Sequence, residues 1–464
     1  MNDSARTHGL SKSLNTWDVF IAGVAVVVSA SSLISDLTGY FTFGIGFAIA
    51  TGLAFIVNLF LGMSAADLGV AYPRAGGLYD YAKEIFDGRF GKNFGVFLGL
   101  TFFGAIAFAV SGETAAGAFG LRALFHWDLH INFFIIAINI LGVVPNIFGL
   151  KAASWINGIL LVLMLSLRWL FGIVGFLGLG ATGTWSLANL AQGASPYWFG
   201  KGGIVTGGIA LAFWTFVGIE FVCSLAEEVH EPRKALPRGI LLGLLMILVT
   251  SLVMGFGITG TQSLSAWQAL ITSEAACAGS CPQLAVGKAM LGDAGYTLMA
   301  LATVTATWGT LVVSYSTMPR ILYSIARDGG FFGALSNPFS KLHPEYGTPV
   351  MATLFTLFLY SVPALRSGEV VKWVYSAAYV WAILYVVFHV LALLNRRLKP
   401  ETTQAFPSRW FQPMAVAGIV LTILSIYYAF TGSHAEFGGR ALLVILVALG
   451  AAVFSFAMSP QSRT

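Results

Sequence analysis

Long apolar runs separated by short polar intervals follow one another from residue 19 almost to the carboxyl end. Twelve of them are bounded by charge, Pro or Gly clusters, at 19–40, 44–71, 94–120, 130–148, 152–178, 203–224, 237–261, 293–318, 349–363, 371–395, 410–432 and 439–458. Their lengths suit a bilayer whose hydrocarbon core is roughly 30 Å thick. The pattern predicts an all-α polytopic membrane protein with 12 transmembrane helices. The longest polar intervals, among them 72–93, 262–292 and 319–348, hold only 22 to 31 residues, too few for a soluble domain in a loop. Residues 1–18 lack an apolar core and a small-residue cleavage site, so they read as a polar tail and the first span directs insertion.

Composition agrees: 57% of the 464 residues are apolar and 10% are charged, against roughly 25% charged in an average soluble domain. The net charge of +5 is scattered over many short segments and forms no single basic face, which argues against a nucleic-acid partner. With the amino terminus inside, 18 Lys and Arg fall on the inner side, 6 on the outer side, and Arg168 lies within a span. Both termini are therefore expected in the cytoplasm of a plasma membrane, or of the inner membrane if the source is bacterial. Three cysteines are too few for a disulfide scaffold and show no zinc-type spacing, so neither metal nor cofactor is expected. Cys223 reads as apolar filler. Cys277 and Cys281 either close a small loop or stay as two free thiols.

Two spans look interrupted. Val28-Ser29-Ala30-Ser31-Ser32 places hydroxyl side chains in the middle of the first, where they offer the backbone alternatives to the helix ladder. The sixth carries Gly207-Gly208, then Phe216-Val217-Gly218, with Glu220 just beyond. These are the first spans of two successive five-span halves, a placement that points to a substrate site built from broken helices. Unwound backbone at membrane depth is tolerated only inside protein or along a cavity, so the two breaks are expected to face each other near the midplane.

Four ordered stretches carry a resemblance to a known family. They are Asp67 with Tyr72-Pro73 and Gly76-Gly77-Leu78-Tyr79; Trp214 to Glu220 followed by Glu227-Glu228 and Pro232-Arg233; Arg320 to Tyr323 with Arg327-Asp328-Gly329; and His343-Pro344 to Thr348-Pro349. Together they resemble the amino acid, polyamine and organocation (APC) transporters. The resemblance implies a leucine-transporter-type fold of two inverted five-helix repeats, here 19–178 and 203–395, with helices 11 and 12 at 410–458 and tails at 1–18 and 459–464. It also implies a secondary active transporter, a symporter or exchanger, moving an amino acid or related organic amine by alternating access. The nearest candidate for a phosphate loop, Gly88 to Asn93, lacks both the spacing and the Ser or Thr of one. One departure matters: family members that take amino acids usually have a Gly-Ser-Gly-like run where this chain has Ser29-Ala30-Ser31. Its methyl and hydroxymethyl groups crowd the approach of a carboxylate to the backbone amides, which favours an amine or a differently shaped acid.

The substrate is expected to touch or be framed by Ser29, Ala30, Ser31, Ser32, Trp214, Phe216, Gly218 and Glu220. Ionisable groups inside spans are rare and expensive, so each has a functional and a structural reading. Glu220 receives a substrate ammonium or carries a proton, or else bonds backbone amides freed at the break. Trp214 resembles an aromatic that lines the site in arginine/agmatine exchangers, where a ring face attracts a cation; the alternative is ordinary packing. Asp36 and Glu113 are vestibule candidates, with a solvated helix end and a polar turn as the alternatives, and Asp67 is expected at the cytoplasmic end of span two. Some proton-coupled relatives have a Lys on the fifth span where this chain has Leu163 or Met164. Arg168, about one turn on, restores a cation nearby or pairs with a buried acid, but it holds its proton too tightly to carry one. Coupling is therefore expected to be absent or to run by protons through Glu220.

A channel would need a continuous polar lining that these spans lack. An enzyme would need a nucleophile or metal motif at a span end, so no enzymatic activity is expected. A transporter-like receptor for a small amine stays open. The expected partners are the small-molecule substrate, the lipid bilayer and a possible coupling proton; oligomeric state is not legible.

Overall fold

A computed structural model describes residues 10, 12–191, 197–200, 203–279, 281–330, 336–365, 370–430, 445–450 and 453. The first span begins where Asn15 caps a helix: its Oδ1 accepts from the amides of Trp17 and Asp18, and Asp18 returns a bond to the Asn15 amide. Helix α1 (Thr16–Val27) then stops, and α2 (Ala30–Phe43) leaves at 57° to it. Gly44, at φ 53°, makes the tight turn into α3 (Ile45–Ala71), a backbone conformation that glycine adopts without strain. The short α4 (Leu78–Phe86) precedes α5 (Gly88–Phe125), α6 (Ile131–Ile147) and α7 (Leu150–Phe176).

After α8 (Leu187–Ala191), the sixth span enters as α9 (Ile204–Trp214) and leaves as a 3-10 segment, Ile219–Glu228. Pro232 starts α10 (Pro232–Thr259) at a position where its missing N–H is no loss. Then come α11 (Leu264–Thr272), α12 (Pro282–Arg327), α13 (Ser336–Phe339), α14 (Val350–Ala364), α15 (Val370–Leu398) and α16 (Ser408–Phe430). Among the described residues, eight helices are long and apolar enough to cross a membrane, and the bent α1–α2 pair makes a ninth. Ile131–Ile147 and Val350–Val362 are shorter apolar helices. The chain is a polytopic α-helical membrane protein.

Several boundaries differ from the pattern in the sequence. The interval 72–93 contains α4, and 262–292 contains α11 and a 3-10 turn, Glu274–Gly279, closed by a Cys277–Cys281 disulfide. Helix α12 starts at Pro282 rather than near 293 because it bends at Leu291 and Gly292, whose φ of 61° ends one helix and admits the next. It also runs on to Arg327, its last turns buried through Met318, Ile321, Leu322 and Ile325. The predicted twelfth span, 439–458, lies outside the described residues apart from 445–450 and 453.

The helices meet closely where side chains are small. At the α7–α10 crossing a methyl on Gly257 would lie 2.0 Å from the Gly172 carbonyl oxygen. Buried hydroxyls on several spans return their proton to the carbonyl four residues back, as Thr51, Ser111, Thr114 and Thr303 do, so they sit in apolar surroundings without an open bond.

The face that carries the amino-terminal segment is tied shut. Ser13 and Leu14 amides donate to the Glu228 carbonyl, and the His230 amide donates to Leu14. Arg320 pairs with Glu228 at 2.5 Å, Arg327 with Glu227 at 3.1 Å, and Lys83 with Asp328 at 2.5 Å. Burial alone would raise the Asp328 carboxyl, but hydrogen bonds from Lys83 and Tyr79 outweigh it and hold this group below its ordinary value. Asp67, near the end of α3, is fully buried against Arg396. Helices α8 and α11 and the disulfide lie at the opposite face.

Candidate functional site

Helix α2 exposes four amides that have no partner inside the helix. Ser29, its cap, accepts from the Ser32 amide through Oγ at 3.1 Å, and its own amide donates to the Val27 carbonyl at 2.7 Å. The other two are taken from across the bundle: Ala30 N donates to Glu113 Oε1 at 2.7 Å and Ser31 N to Glu113 Oε2 at 2.8 Å. Thr307 of α12 also donates to Glu113 Oε1, at 2.8 Å. A carboxylate at a helix amino end is favoured by both the free N–H groups and the helix dipole.

The carbonyl of the same Ser29–Ala30 peptide receives a bond from Arg168 Nη2. One peptide unit at the break therefore has a guanidinium on its oxygen and a carboxylate on its nitrogen, an arrangement in which each bond polarises the other. Behind it, Thr310 of α12 donates to the Ala25 carbonyl at 3.2 Å, at the unwound end of α1. The polar groups released by the break are met by side chains from α5, α7 and α12.

The second break is held differently. Gly218, at φ 114°, turns the chain between α9 and the 3-10 segment, a conformation that strains any other residue. Glu220 Oε2 accepts from Gly218 N at 3.2 Å and from Tyr385 at 3.2 Å, and Oε1 accepts from Trp381 Nε1. Trp381 in turn stacks on Phe221 with ring planes 3° apart. A ten-residue 3-10 run is long for that geometry, and such runs mark hinges.

Between the breaks lies a cavity of about 40 Å³. At about 10–15 Å³ per water on this scale, that is space for a few waters and for no larger molecule without side-chain movement. The first span contributes Val26, Ser29 and Ser31 to its walls; α5 contributes Ala109, Val110 and Glu113. The sixth span contributes Trp214, Val217, Gly218 and Phe221; α12 contributes Thr310 and Ser314, and α15 contributes Trp381. Trp214 Nε1 donates to Ser31 Oγ at 3.2 Å, and Ser31 Oγ lies 2.9 Å from Ser29 Oγ. Among the described residues Glu113 is the one ionisable side chain in this wall, which also holds the rings of Trp214, Trp381 and Phe221.

Of the residues singled out in the sequence, Ser29, Ser31, Trp214 and Gly218 come together on the cavity. Ala30 and Ser32 frame it through their backbone and cap bonds. Phe216 does not reach it: its ring packs against Phe55 on α3, with centroids 6.1 Å apart. Glu220 lies behind the wall, and its bonds to the Gly218 amide and to α15 correspond to the structural reading of this group.

The two vestibule candidates sit elsewhere than expected. Glu113 is 2% exposed at the break itself, and Asp36 is 1% exposed within α2, accepting from Thr215 Oγ1 at 2.7 Å. The position of Asp36 follows from the 57° bend, which turns α2 so that a mid-span acid meets the sixth span and not water. Arg168 is equally buried, and no acid lies within 4.0 Å of it among the described residues. Trp381, Phe221, Thr310 and Ala109 were missed because each lies in an otherwise regular stretch with nothing local to mark it. Among the described residues no group of three His, Cys, Asp or Glu is placed to hold a metal ion.

A bundle of membrane-length helices, two of them interrupted around a small cavity, has the form of a solute carrier. Comparison with known proteins makes this specific: the amino acid permease family model matches residues 14–458, and the chain belongs to that family. It is 24% identical to the branched-chain amino acid permease BcaP of Bacillus subtilis over 419 residues, 86% of this chain and 83% of that one. It is 25% identical to human cationic amino acid transporter 4 over 434 residues, 87% of this chain and 63% of the longer human protein. It is 24% identical to the serine/threonine exchanger SteT of Bacillus subtilis over 378 residues, 78% of each.

Proposed function

We propose that this protein is a secondary active transporter that moves an amino acid or related organic amine by alternating access between the two interrupted spans. The observation that carries the reading is the cavity where Ser29, Ser31, Trp214 and Gly218 from the two breaks converge, in a member of the amino acid permease family. We assign substrate contact to Ser29, Ser31, Glu113, Trp214, Gly218 and Trp381, and assign Glu220 to holding the second break against α15. The relatives' names span branched-chain, cationic and hydroxylated amino acids at nearly equal identity, so likeness alone does not select among them.

Twelve spans with both termini cytoplasmic remain our reading of topology. The disulfide at the face opposite the amino terminus supports it, because disulfides persist in oxidising compartments. The guanidinium of Arg168 on the Ser29 carbonyl disfavours a sodium ion at the first break by repulsion, which leaves solute exchange or proton linkage. Counterflow in liposomes with no imposed gradient tests both parts. Saturable exchange of a labelled amine or amino acid without sodium is expected; ion current without saturation, binding without flux, or strict sodium dependence would each contradict it.

A further inference from the structure

Resting on the transport reading, the hydrogen-bond inventory of the first break narrows the substrate class. An α-amino acid presents a carboxylate and an ammonium, and the natural receptor for the carboxylate at a broken helix is its set of free amides. Here none of the four is free. Ser29 N is taken by the Val27 carbonyl, Ser32 N by Ser29 Oγ, and Ala30 N and Ser31 N by the two oxygens of Glu113. At the second break Gly218 N is taken by Glu220, Val217 N by the Trp214 carbonyl and Phe221 N by the Gly218 carbonyl.

The groups left facing the cavity are of the opposite kind. They are the Glu113 carboxylate, the hydroxyls of Ser29, Ser31, Thr310 and Ser314, and the rings of Trp214, Trp381 and Phe221. An acid with aromatic rings opposite recognises a cation through charge and ring quadrupole together. The balancing cation, Arg168, stands behind the Ser29 carbonyl and takes no part in the wall. A second carboxylate entering the cavity would have to displace Glu113 and leave it buried close to the incoming charge, a costly arrangement at this depth.

We propose that Glu113 is an internal carboxylate that occupies the anion position of the site, so that the preferred substrate is a small organic amine with no α-carboxylate, its ammonium received by Glu113 and the tryptophan rings. Glu113 thereby determines specificity: it fills the position an amino acid would need and supplies the charge an amine needs.

The test uses three pairs that differ only by the carboxylate: agmatine and arginine, isopentylamine and leucine, ethanolamine and serine. Binding to the purified full chain is measured by calorimetry, and exchange by counterflow in liposomes. At least one amine is expected to bind tenfold or more tightly than its amino acid, and to exchange. Glu113→Gln is expected to reduce that ratio at least tenfold by weakening the amine, with Glu113→Asp retaining part of it. An amino acid that binds as tightly as its amine in the parent overturns the proposal whatever the variants do, as does an unchanged ratio in a folded Glu113→Gln. Exchange of amino acids with no effect of amines would reject this proposal and leave the transport reading standing. Failure of all six to bind or exchange would reject both.

Discussion

Replacing Asp67 or Arg396 separates a long-range pair on which three helices converge. Arg396 Nη2 and Nε donate to the two Asp67 oxygens at 2.8 and 2.9 Å, and Ala405 N adds a third bond at 2.8 Å. Arg396 also donates to the Phe406 carbonyl at 2.8 Å and to Ser408 at 3.1 Å, and its Cζ lies 3.7 Å over the Phe411 ring. Breaking a buried pair from one side is expected to destabilise by about 3–5 kcal/mol, because it leaves a buried charge uncompensated. Asp67→Asn should fall near the lower end, since Arg396 keeps three other partners. Arg396→Met should fall near the upper end, since Asp67 keeps only Ala405 N. In the double variant Asp67→Asn/Arg396→Met no charge is left, and the buried polar groups that lose a partner account for about 1–3 kcal/mol. The coupling between the two sites should therefore exceed about 2 kcal/mol, at least a tenfold change in an unfolding equilibrium. Reversible unfolding in mixed detergent micelles measures it. Single variants that each cost less than about 1 kcal/mol, in the range of a surface pair, or a double variant equal to the sum of the singles, would refute the reasoning.

Three further outcomes follow from the packing and the charges. Gly257→Ala sets a methyl 2.0 Å from the Gly172 oxygen and should lower the melting temperature in detergent sharply, whereas Gly52→Ala, with nothing within 4 Å, should leave it level or slightly higher; equal effects would contradict the close crossing. The Asp328 carboxyl is held below its ordinary value, so its stabilisation, about 1 kcal/mol for a partly exposed pair, is present above the ordinary carboxylate range and lost as pH falls through the depressed value. The stability gap between the parent and Asp328→Asn should accordingly narrow in acid, and a gap that stays constant from neutral to strongly acidic pH would exclude this role. In a Cys223→Ala background on intact cells, a membrane-impermeant maleimide should label Cys277 and Cys281 only after external reduction; labelling that first requires permeabilisation would reverse the proposed topology.

Much of the architecture was legible because it is written in local signals. The apolar run at 44–71 became α3 at Ile45–Ala71, and the hydroxyl cluster at Val28–Ser32 fell on the bend between α1 and α2. Gly218 showed itself as a glycine next to an intramembrane acid, and it does sit at positive φ. The partners of those features were not legible. Glu113 meets the Ala30 amide 83 positions away, Arg168 meets Ser29 across 139, and Arg396 meets Asp67 across 329, and no periodicity links such positions. An acid in an apolar run signals only that something must compensate it; which helix does so depends on how the bundle closes. The cavity wall contributed by Ala109, Thr310 and Trp381 was invisible for the same reason, since these residues lie in helices that are regular around them.

The claim on which the account depends is that solute passes through the cavity between the two breaks. Ala109 lines that cavity from α5 and makes none of its polar contacts, so Ala109→Phe fills the space while the hydrogen bonds of Glu113, Ser29 and Trp214 remain. Val162→Phe, on the exposed face of α7, adds a ring outside the bundle and serves as the control. Counterflow is measured in liposomes for the parent and both variants, with monodispersity checked by size exclusion. Saturable exchange in the parent and in Val162→Phe, abolished in a monodisperse Ala109→Phe, is the result the account requires; undiminished exchange in Ala109→Phe would place the substrate path elsewhere.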